Sequence, residues 1–151
     1  MTRVRFLLTN RWVRIYLDAL SEVMGHHGYT ALLRVAGLHA WIYNPPPYEE
    51  ILDVEAMDFA LLNKILEDVY GPRGGRSLAF RAGQVAFRMV LERPDIELGV
   101  NETALKLLPV EKRAKTLLNA LAQLLTQPQG ITVSLTELPD KFLYVISPCP
   151  V

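Results

Sequence analysis

The residues best suited to bind a charged group lie along one side of a helix predicted for residues 75–92. Polar side chains recur there every three or four positions, which places them in one narrow stripe. They are Ser77, Arg81, Gln84, Arg88 and Glu92. Arg81 or Arg88 could face the acid group of a ligand, or a partner chain. The alternative is a core helix with one solvated seam, in which Arg88 pairs with Glu92 at i, i+4.

Aromatic residues surround a run of three prolines. Trp41 and Tyr43 precede the prolines and Tyr48 follows them. These rings could cover the core beneath a loop. Alternatively, together with Phe80 and Phe87, they could line an apolar cavity between helices, where small molecules commonly bind. The candidate residues of a ligand pocket are therefore Trp41, Tyr43, Phe80, Arg81, Phe87 and Arg88.

No group of residues has the spacing of a catalytic or metal site. His26 and His27 are adjacent, so their rings point in different directions, and no third ligand lies near them in sequence. His39 is isolated on an apolar segment and is interpreted as a core residue. The sequence contains neither a Ser-His-Asp order nor a nucleophile elbow. We expect no catalytic residues and no metal ligands, and the pattern indicates no particular cofactor.

The glycine-rich segment 71–75 opens the polar helix and could hold an anion with its backbone N–H groups. However, no lysine-serine or lysine-threonine pair follows the glycines. The G-x-G-x-x-G spacing is also absent, and no strand is predicted before the segment. We interpret it as a tight turn between two helices.

The composition is typical of a globular protein of the cytoplasm. Sixteen basic residues balance sixteen acidic ones, and a neutral chain has no general attraction for nucleic acid or for an anionic membrane. The single cysteine, Cys149, excludes an internal disulfide and fits a reducing compartment. No apolar run is long enough for a signal peptide or a membrane span. We therefore expect a cytoplasmic protein that neither binds nucleic acid nor spans a membrane.

Hydrophobic spacing predicts a helix-rich N-terminal part with about five or six helices. The first runs from Arg11 to about Met24 and is ended by Gly25. The second, from about Tyr29 to Ile42, is apolar nearly all round and is expected to be buried, with the prolines as its end.

A third helix is predicted to open at Asp53 or Glu55. Its inner stripe is expected to consist of Met57, Leu61, Ile65 and Val69. After the polar helix, Asn101 caps a short helix, and Pro109 lies in the first turn of another that runs to about Thr126.

After Gly130 the hydrophobic period changes to two, which predicts a hairpin of residues 131–138 and 141–147. Its second strand is apolar on both faces and therefore suits the interior of a sheet. Because two strands alone are marginally stable, a third is expected. It could come from residues 3–8, from another chain, or from a continuation of the domain. With no internal repeat or linker detected, residues 1–151 are interpreted as one α+β domain, with the helices packed on an antiparallel sheet that starts with this hairpin.

Several segments resemble bacterial proteins of the 4-vinyl-reductase-like, hydrocarbon-binding domain family. Residues 70–83, YGPRGGRSLAFRAG, resemble the glycine-rich turn and helix of this family, and residues 14–25 resemble its opening helix. The segments 107–109 and 149–151 are similar to later landmarks. The resemblance extends over nearly the whole chain.

The resemblance implies an α+β fold shared with a vesicle-tethering subunit family, a small hydrophobic ligand and a homodimer. Family members usually continue past the Cys-Pro-Val stretch, with another cysteine soon after, so the resemblance also implies a domain that is incomplete at its C-terminus. The leading hypothesis is a non-enzymatic binding or sensor domain for a small hydrophobic molecule. The alternatives are a structural or dimerisation subunit without a ligand and, third, a reductase acting on a tetrapyrrole vinyl group.

Overall fold

The computed structural model describes residues 6–96, 100–129 and 132–147 of the chain. It forms two compact units, one ending at Arg93 and the other beginning at Pro94. Each unit combines helices with a two-stranded antiparallel sheet within the described residues, which confirms the α+β class. The predicted packing of the N-terminal helices on the sheet of the C-terminal hairpin, and the single domain, stay predictions.

The first unit consists of two strands that pair with each other and of the helices that follow them. Its elements are β1 (Leu7–Thr9), α1 (Asn10–Val35), α2 (Ala40–Tyr43), β2 (Leu52–Glu55) and α3 (Ala56–Glu92). Strand β2 is not predicted from the sequence, and residues 3–8 are considered there only as one source of a third strand beside the hairpin. Since β1 pairs with β2, residues 7 and 8 belong to a different sheet from the hairpin, and residues 3–5 lie outside the described part.

A glycine bends each of the two long helices. Gly25 has φ 73° and ψ 162° inside α1, and Gly71 has φ 74° and ψ 164° inside α3. This backbone region is essentially open to glycine alone. The predicted helix end at Gly25 and the predicted break at Gly71 are both confirmed. Helix geometry resumes at Pro72 rather than at Gly75, because proline is well suited to the first turn of a helix.

The two bent helices belong to an internal structural repeat of a strand, a helix, a glycine bend and a second helix. The first copy spans residues 7–37 and the second residues 53–83, each equivalent residue lying 46 positions later, so that α1 and α3 begin at the equivalent residues Asn10 and Ala56. The residues that are identical in both copies are, numbered in the first, Leu20, Val23, Gly25, Gly28, Leu32, Ala36 and Gly37.

The strands of the two copies meet on an approximate twofold axis. Strand β1 is antiparallel to β2, and Leu8 lies opposite Val54, its own equivalent. In an antiparallel pair, equivalent residues face each other where a twofold axis passes between the strands. The structure therefore adds to the expectation of no internal repeat, because the order of the elements and the glycine bends recur although the sequence shows no clear repeat. The copies share too few residues to reveal the likeness by sequence. Gly25 and Gly71 are each predicted to end a helix, but the agreement of their φ and ψ angles is visible only in the backbone.

The core of this unit lies between α1 and α3. It contains fully buried leucines from both copies, among them Leu17, Leu20 and Leu33 from α1 and Leu62 and Leu66 from α3. The two halves of α3 are also in close contact, since a Cβ atom on Gly75 would lie 2.6 Å from the Cα atom of Glu67. This position therefore requires glycine.

The second predicted helix ends earlier than expected. Its last residue is Val35 and not Ile42, because Gly37 has a φ of 73° and forms a Schellman turn. In this turn the Leu38 N–H donates to the Leu33 carbonyl at 2.9 Å. The prediction of a helix buried all round is also wrong, since Arg34 and Val35 are exposed.

The inner stripe predicted for the third helix is wrong for three of its four residues, while Ile65 is half-buried and packs against the core. Met57, Leu61 and Val69 are exposed, with Met57 at 69%, whereas Leu62 and Leu66 are fully buried. Both stripes are apolar, so the period alone could not decide which one is inside. Pairing with β1 holds residues 52–55 in an extended conformation, and the helix therefore begins at Ala56.

The loop that contains the prolines is fixed to the outside of α1. The backbone N–H groups of Asn10 and Arg11 donate to the carbonyls of Ile51 and Glu49 at 2.9 Å. Arg11 also pairs with the Glu50 carboxylate at 2.8 Å. A second contact involves Tyr48, whose hydroxyl donates to Asp18 and whose ring lies between two arginines, Arg14 and Arg93. The loop therefore covers one face of the first copy.

The second unit contains α4 (Glu102–Leu107), α5 (Val110–Gln129), β3 (Thr132–Glu137) and β4 (Phe142–Ser147). The predicted cap is confirmed, since Asn101 Oδ1 accepts from the N–H groups of Thr103 and Ala104 at 2.9 and 3.2 Å. Pro109 immediately precedes α5, and its carbonyl accepts from the N–H of Arg113.

The predicted hairpin is confirmed, with Leu135 opposite Tyr144. The expectation of an interior strand is not met in the described part, where β4 pairs with β3 and leaves Leu143 and Val145 exposed at 49% and 42%. Across the described ranges, no helix combines the length and apolar character that crossing a membrane requires.

Candidate functional site

A groove of ≈ 350 Å³ lies between the first half of α1 and the second half of α3. Three of its lining residues, Gln84, Val85 and Arg88, lie on the part of α3 beyond Gly83, which has no counterpart in α1. The residues that line the groove are Glu22, Val23, Arg81, Gln84, Val85 and Arg88. Three members of the polar stripe predicted from the sequence therefore lie together.

An ion pair closes one part of this groove. The Arg88 Nη2 atom donates to both carboxylate oxygens of Glu22, at 2.6 and 2.8 Å. This hydrogen bond, and then the charge of Glu22, raise the pKa of Arg88. The predicted pair of Arg88 with Glu92 is confirmed, although its nitrogen-to-oxygen distance is longer, at 3.9 Å. Glu22 was missed because it lies on a different helix, where sequence spacing gives no signal.

Arg81 is the cation of the groove that has no such partner. It is exposed, and within the described ranges no carboxylate forms an ion pair with it. Since Glu22 offsets the charge of Arg88, the groove carries one net positive charge. Its apolar surface comes from Val23 and Val85, which are half-buried and pack against the core. This arrangement can hold a molecule with a small apolar part and an acid group.

A second concave region is a cleft of ≈ 290 Å³ beside the prolines and the junction of β2 with α3. Its lining is largely polar and consists of Asn10, Trp41, Asn44, Pro45, Pro46, Pro47, Asp53, Val54, Glu55 and Asp58. Trp41 is the aromatic residue of the predicted pocket that lies here. The cleft therefore differs from the apolar cavity that the sequence suggested.

The six predicted pocket residues are thus distributed over several places. Arg81 and Arg88 share the groove, and Trp41 lines the cleft. Tyr43 and Phe80 are exposed at 82% and 68%, whereas Phe87 is half-buried and lines neither region. The rings are separated because the chain turns at Gly37, which removes residues 38–43 from the helix that was expected to carry them.

The histidines lie on the surface. His39 is exposed at the start of α2, so its interpretation as a core residue is wrong. His26 and His27 follow the bend at Gly25, and their ring centroids are 6.0 Å apart. Throughout the part of the chain that the structure describes, no three His, Cys, Asp or Glu side chains are placed to hold a metal ion. Cys149 lies outside the described residues.

Comparisons with known proteins identify no relative of this chain. No protein-family model matches the sequence, no curated protein matches it, and no solved structure matches the fold. The resemblance to the 4-vinyl-reductase-like family, and the ligand and dimer that it implies, therefore stay predictions.

Proposed function

We propose that this protein is a non-enzymatic binding or sensor domain for a small hydrophobic molecule that carries an acid group. The groove between α1 and α3 is the proposed site. The observation that supports it is Arg81, a cation without an ion-pair partner among the described residues, beside the apolar side chains of Val23 and Val85. The resemblance to the 4-vinyl-reductase-like, hydrocarbon-binding family supports the hydrophobic part of the ligand.

The size of the groove limits the ligand. A volume of ≈ 350 Å³ lies near the lower end of the range of small-molecule sites, about 300–1,000 Å³. An exposed arginine contributes only about 1 kcal/mol to a charge pair. Apolar contacts must therefore supply most of the affinity, at about 25 cal/mol per Å² of buried apolar surface. The acid group determines orientation and selectivity more than strength.

Native mass spectrometry of the purified protein tests this proposal. We expect a co-purified small molecule on the wild-type chain and a smaller ligand-bound fraction, by about fivefold in affinity, for Arg81→Gln. Arg73→Gln is the matched control, since it removes the same charge from the same helix at an exposed position outside the groove. A ligand-free mass for the wild-type protein at every charge state would contradict the proposal, as would equal retention by the Arg81 variant.

A second candidate function is that of a structural subunit that forms a homodimer. It is favoured by the exposed apolar face of β4. Leu143 and Val145 are two positions apart on this strand, so their side chains lie on the same face, and both are exposed. Sedimentation over a wide concentration range should then show a dimer that Leu143→Lys weakens, whereas a strictly monomeric protein would contradict this function.

No feature of the described residues favours the reductase alternative. A cytoplasmic location, and helices packed on a sheet that includes the hairpin, are further parts of the proposal.

A further inference from the structure

Glu22 differs from its equivalent in the second copy in the partner that it binds. The equivalent residue, Asp68, pairs at 2.8 Å with Lys64, which lies four residues earlier on the same helix. Four residues before Glu22 lies Asp18, an acid rather than a lysine. The carboxylate of Glu22 instead reaches across to α3 and contacts Arg88. This contact between helices places a negative charge among the lining residues of the groove.

The contact occupies the charged end of Arg88. The Arg88 Nη2 atom lies 2.6 and 2.8 Å from the two carboxylate oxygens of Glu22. A second acid, Glu92, is 3.9 Å from the Arg88 Nε atom and does not line the groove. A guanidinium that is already bound to a carboxylate gains little from another acid group, and the negative charge of Glu22 repels that group. This end of the groove therefore does not favour an anion.

An apolar residue separates the two arginines of the groove. Arg81 and Arg88 are seven residues apart on α3, which corresponds to about 10 Å along the helix axis at a rise of roughly 1.5 Å per residue. Val85 lies between them on the same helix face, and Val23 of α1 lines the same groove. A ligand whose acid group binds Arg81 can therefore extend its carbon chain along Val85, toward the pair of Arg88 with Glu22.

We infer that Glu22 restricts the groove to ligands that have a single acid group. This inference rests on the proposed function and adds the class of ligand, which is an aliphatic monocarboxylate rather than a dicarboxylate. The acid group binds Arg81, while Glu22 neutralises Arg88 and repels an acid group at the far end of the chain. Without Glu22 the groove would present two cations at a spacing that the two carboxylates of decanedioate can span.

Calorimetric titration with decanoate and with decanedioate tests this inference. The wild-type protein should bind decanoate more tightly than decanedioate. Glu22→Gln should increase the affinity for decanedioate, relative to that for decanoate, by about fivefold, the effect of one additional exposed charge pair. The side chains of Glu22 and Arg88 are 46% and 52% exposed, so loss of their contact should leave the fold intact, and circular dichroism verifies this.

Glu92→Gln is the matched control, because it removes the same charge from the more distant partner of Arg88. The ratio of the two affinities should then keep its wild-type value. In a protein that binds decanoate, an unchanged ratio in Glu22→Gln, or an equal change in Glu92→Gln, would overturn the inference and leave the proposed function unaffected. If the wild-type protein binds neither ligand, the proposed function fails, and this inference fails with it.

Discussion

The two copies of the structural repeat have the same order of elements but end differently. Each has a strand, a helix, a glycine with φ near 73° and a second helix. Each second helix reaches an identical Ala-Gly pair, at residues 36–37 and 82–83. Gly37 leaves the helix with a positive φ, whereas Gly83 remains helical and α3 continues to Glu92. The same dipeptide therefore ends one helix and extends the other.

This difference locates both candidate sites. The continuation of α3 carries Gln84, Val85 and Arg88, which line the groove. The early end of α1 releases the segment 38–51, which carries Trp41 and the prolines that line the cleft. The parts common to both copies form the core, and the parts outside the copies complete the groove and the cleft with Gln84, Val85 and Arg88 in one and Trp41 and the prolines in the other.

The largest expected effect concerns the loop that covers one copy only. Ile15 is 1% exposed in the copy that the loop covers, whereas the equivalent Leu61 is 38% exposed. Ile15→Ala should lower the free energy of unfolding by about 3–4 kcal/mol, and Leu61→Ala by less than about 1 kcal/mol. Urea denaturation measures both. Equal losses of unfolding free energy in the two variants would show that Ile15 and Leu61 are equally buried, which would contradict the described difference between the copies.

A second prediction concerns the close contact inside the second copy. Gly75→Ala places a Cβ atom 2.6 Å from the backbone of Glu67, and we expect a loss of about 2–3 kcal/mol from overpacking. Gly83→Ala, on the same helix, meets no atom within 4 Å and should stabilise the protein by about 0.5–1 kcal/mol. The same denaturation experiment compares the two, and a tolerated alanine at position 75 would contradict the described packing.

The two glycine bends should respond alike. Gly25 and Gly71 have nearly the same φ and ψ, and neither has an atom within 4 Å of an added Cβ. Alanine at either position should therefore cost about 1–2 kcal/mol through backbone strain alone. Because the bends are separate, the double variant should show the sum of both losses. If only one variant were destabilised, the equivalence of the copies would be disproved.

The smallest effect is a pH dependence at Asp58, the equivalent of Trp12 in the first copy. Its pKa is raised above 3.8, first by burial and then by the charge of Glu55. Ionisation therefore costs the folded state more than the unfolded state, and stability is lost as the pH rises through the folded-state pKa. Asp58→Asn should consequently gain stability relative to wild type between pH 4 and pH 7. Thermal denaturation of both proteins across this range tests the prediction. A gain in stability that does not depend on pH would contradict it.

Local signals in the sequence predicted much of this fold. Gly25, Gly71 and Asn101 were recognised because a bend or a cap has a chemical requirement that one residue type meets. The hairpin was recognised from its period of two. Strand β2 was missed because its four residues are held extended by pairing with β1, a contact between distant parts of the chain.

The candidate sites were predictable only in part. Arg81, Gln84 and Arg88 follow one helical stripe, so the sequence could place them together. Glu22 and the cleft residues Asn10 and Asp58 come from separate elements, and only the folded chain brings them near their partners. The exposed face of α3 was misassigned because apolar residues occupy two stripes, and burial depends on what packs against each.

The most direct test of the account is calorimetric titration of the groove with decanoate and with decanol. The groove should bind decanoate more tightly than decanol in the wild-type protein. Arg81→Gln should abolish this preference while decanol binding is unchanged, and Arg73→Gln should preserve it. Equal binding of the two ligands by the wild-type protein, or a preference for decanoate that survives the loss of Arg81, would contradict the proposed function.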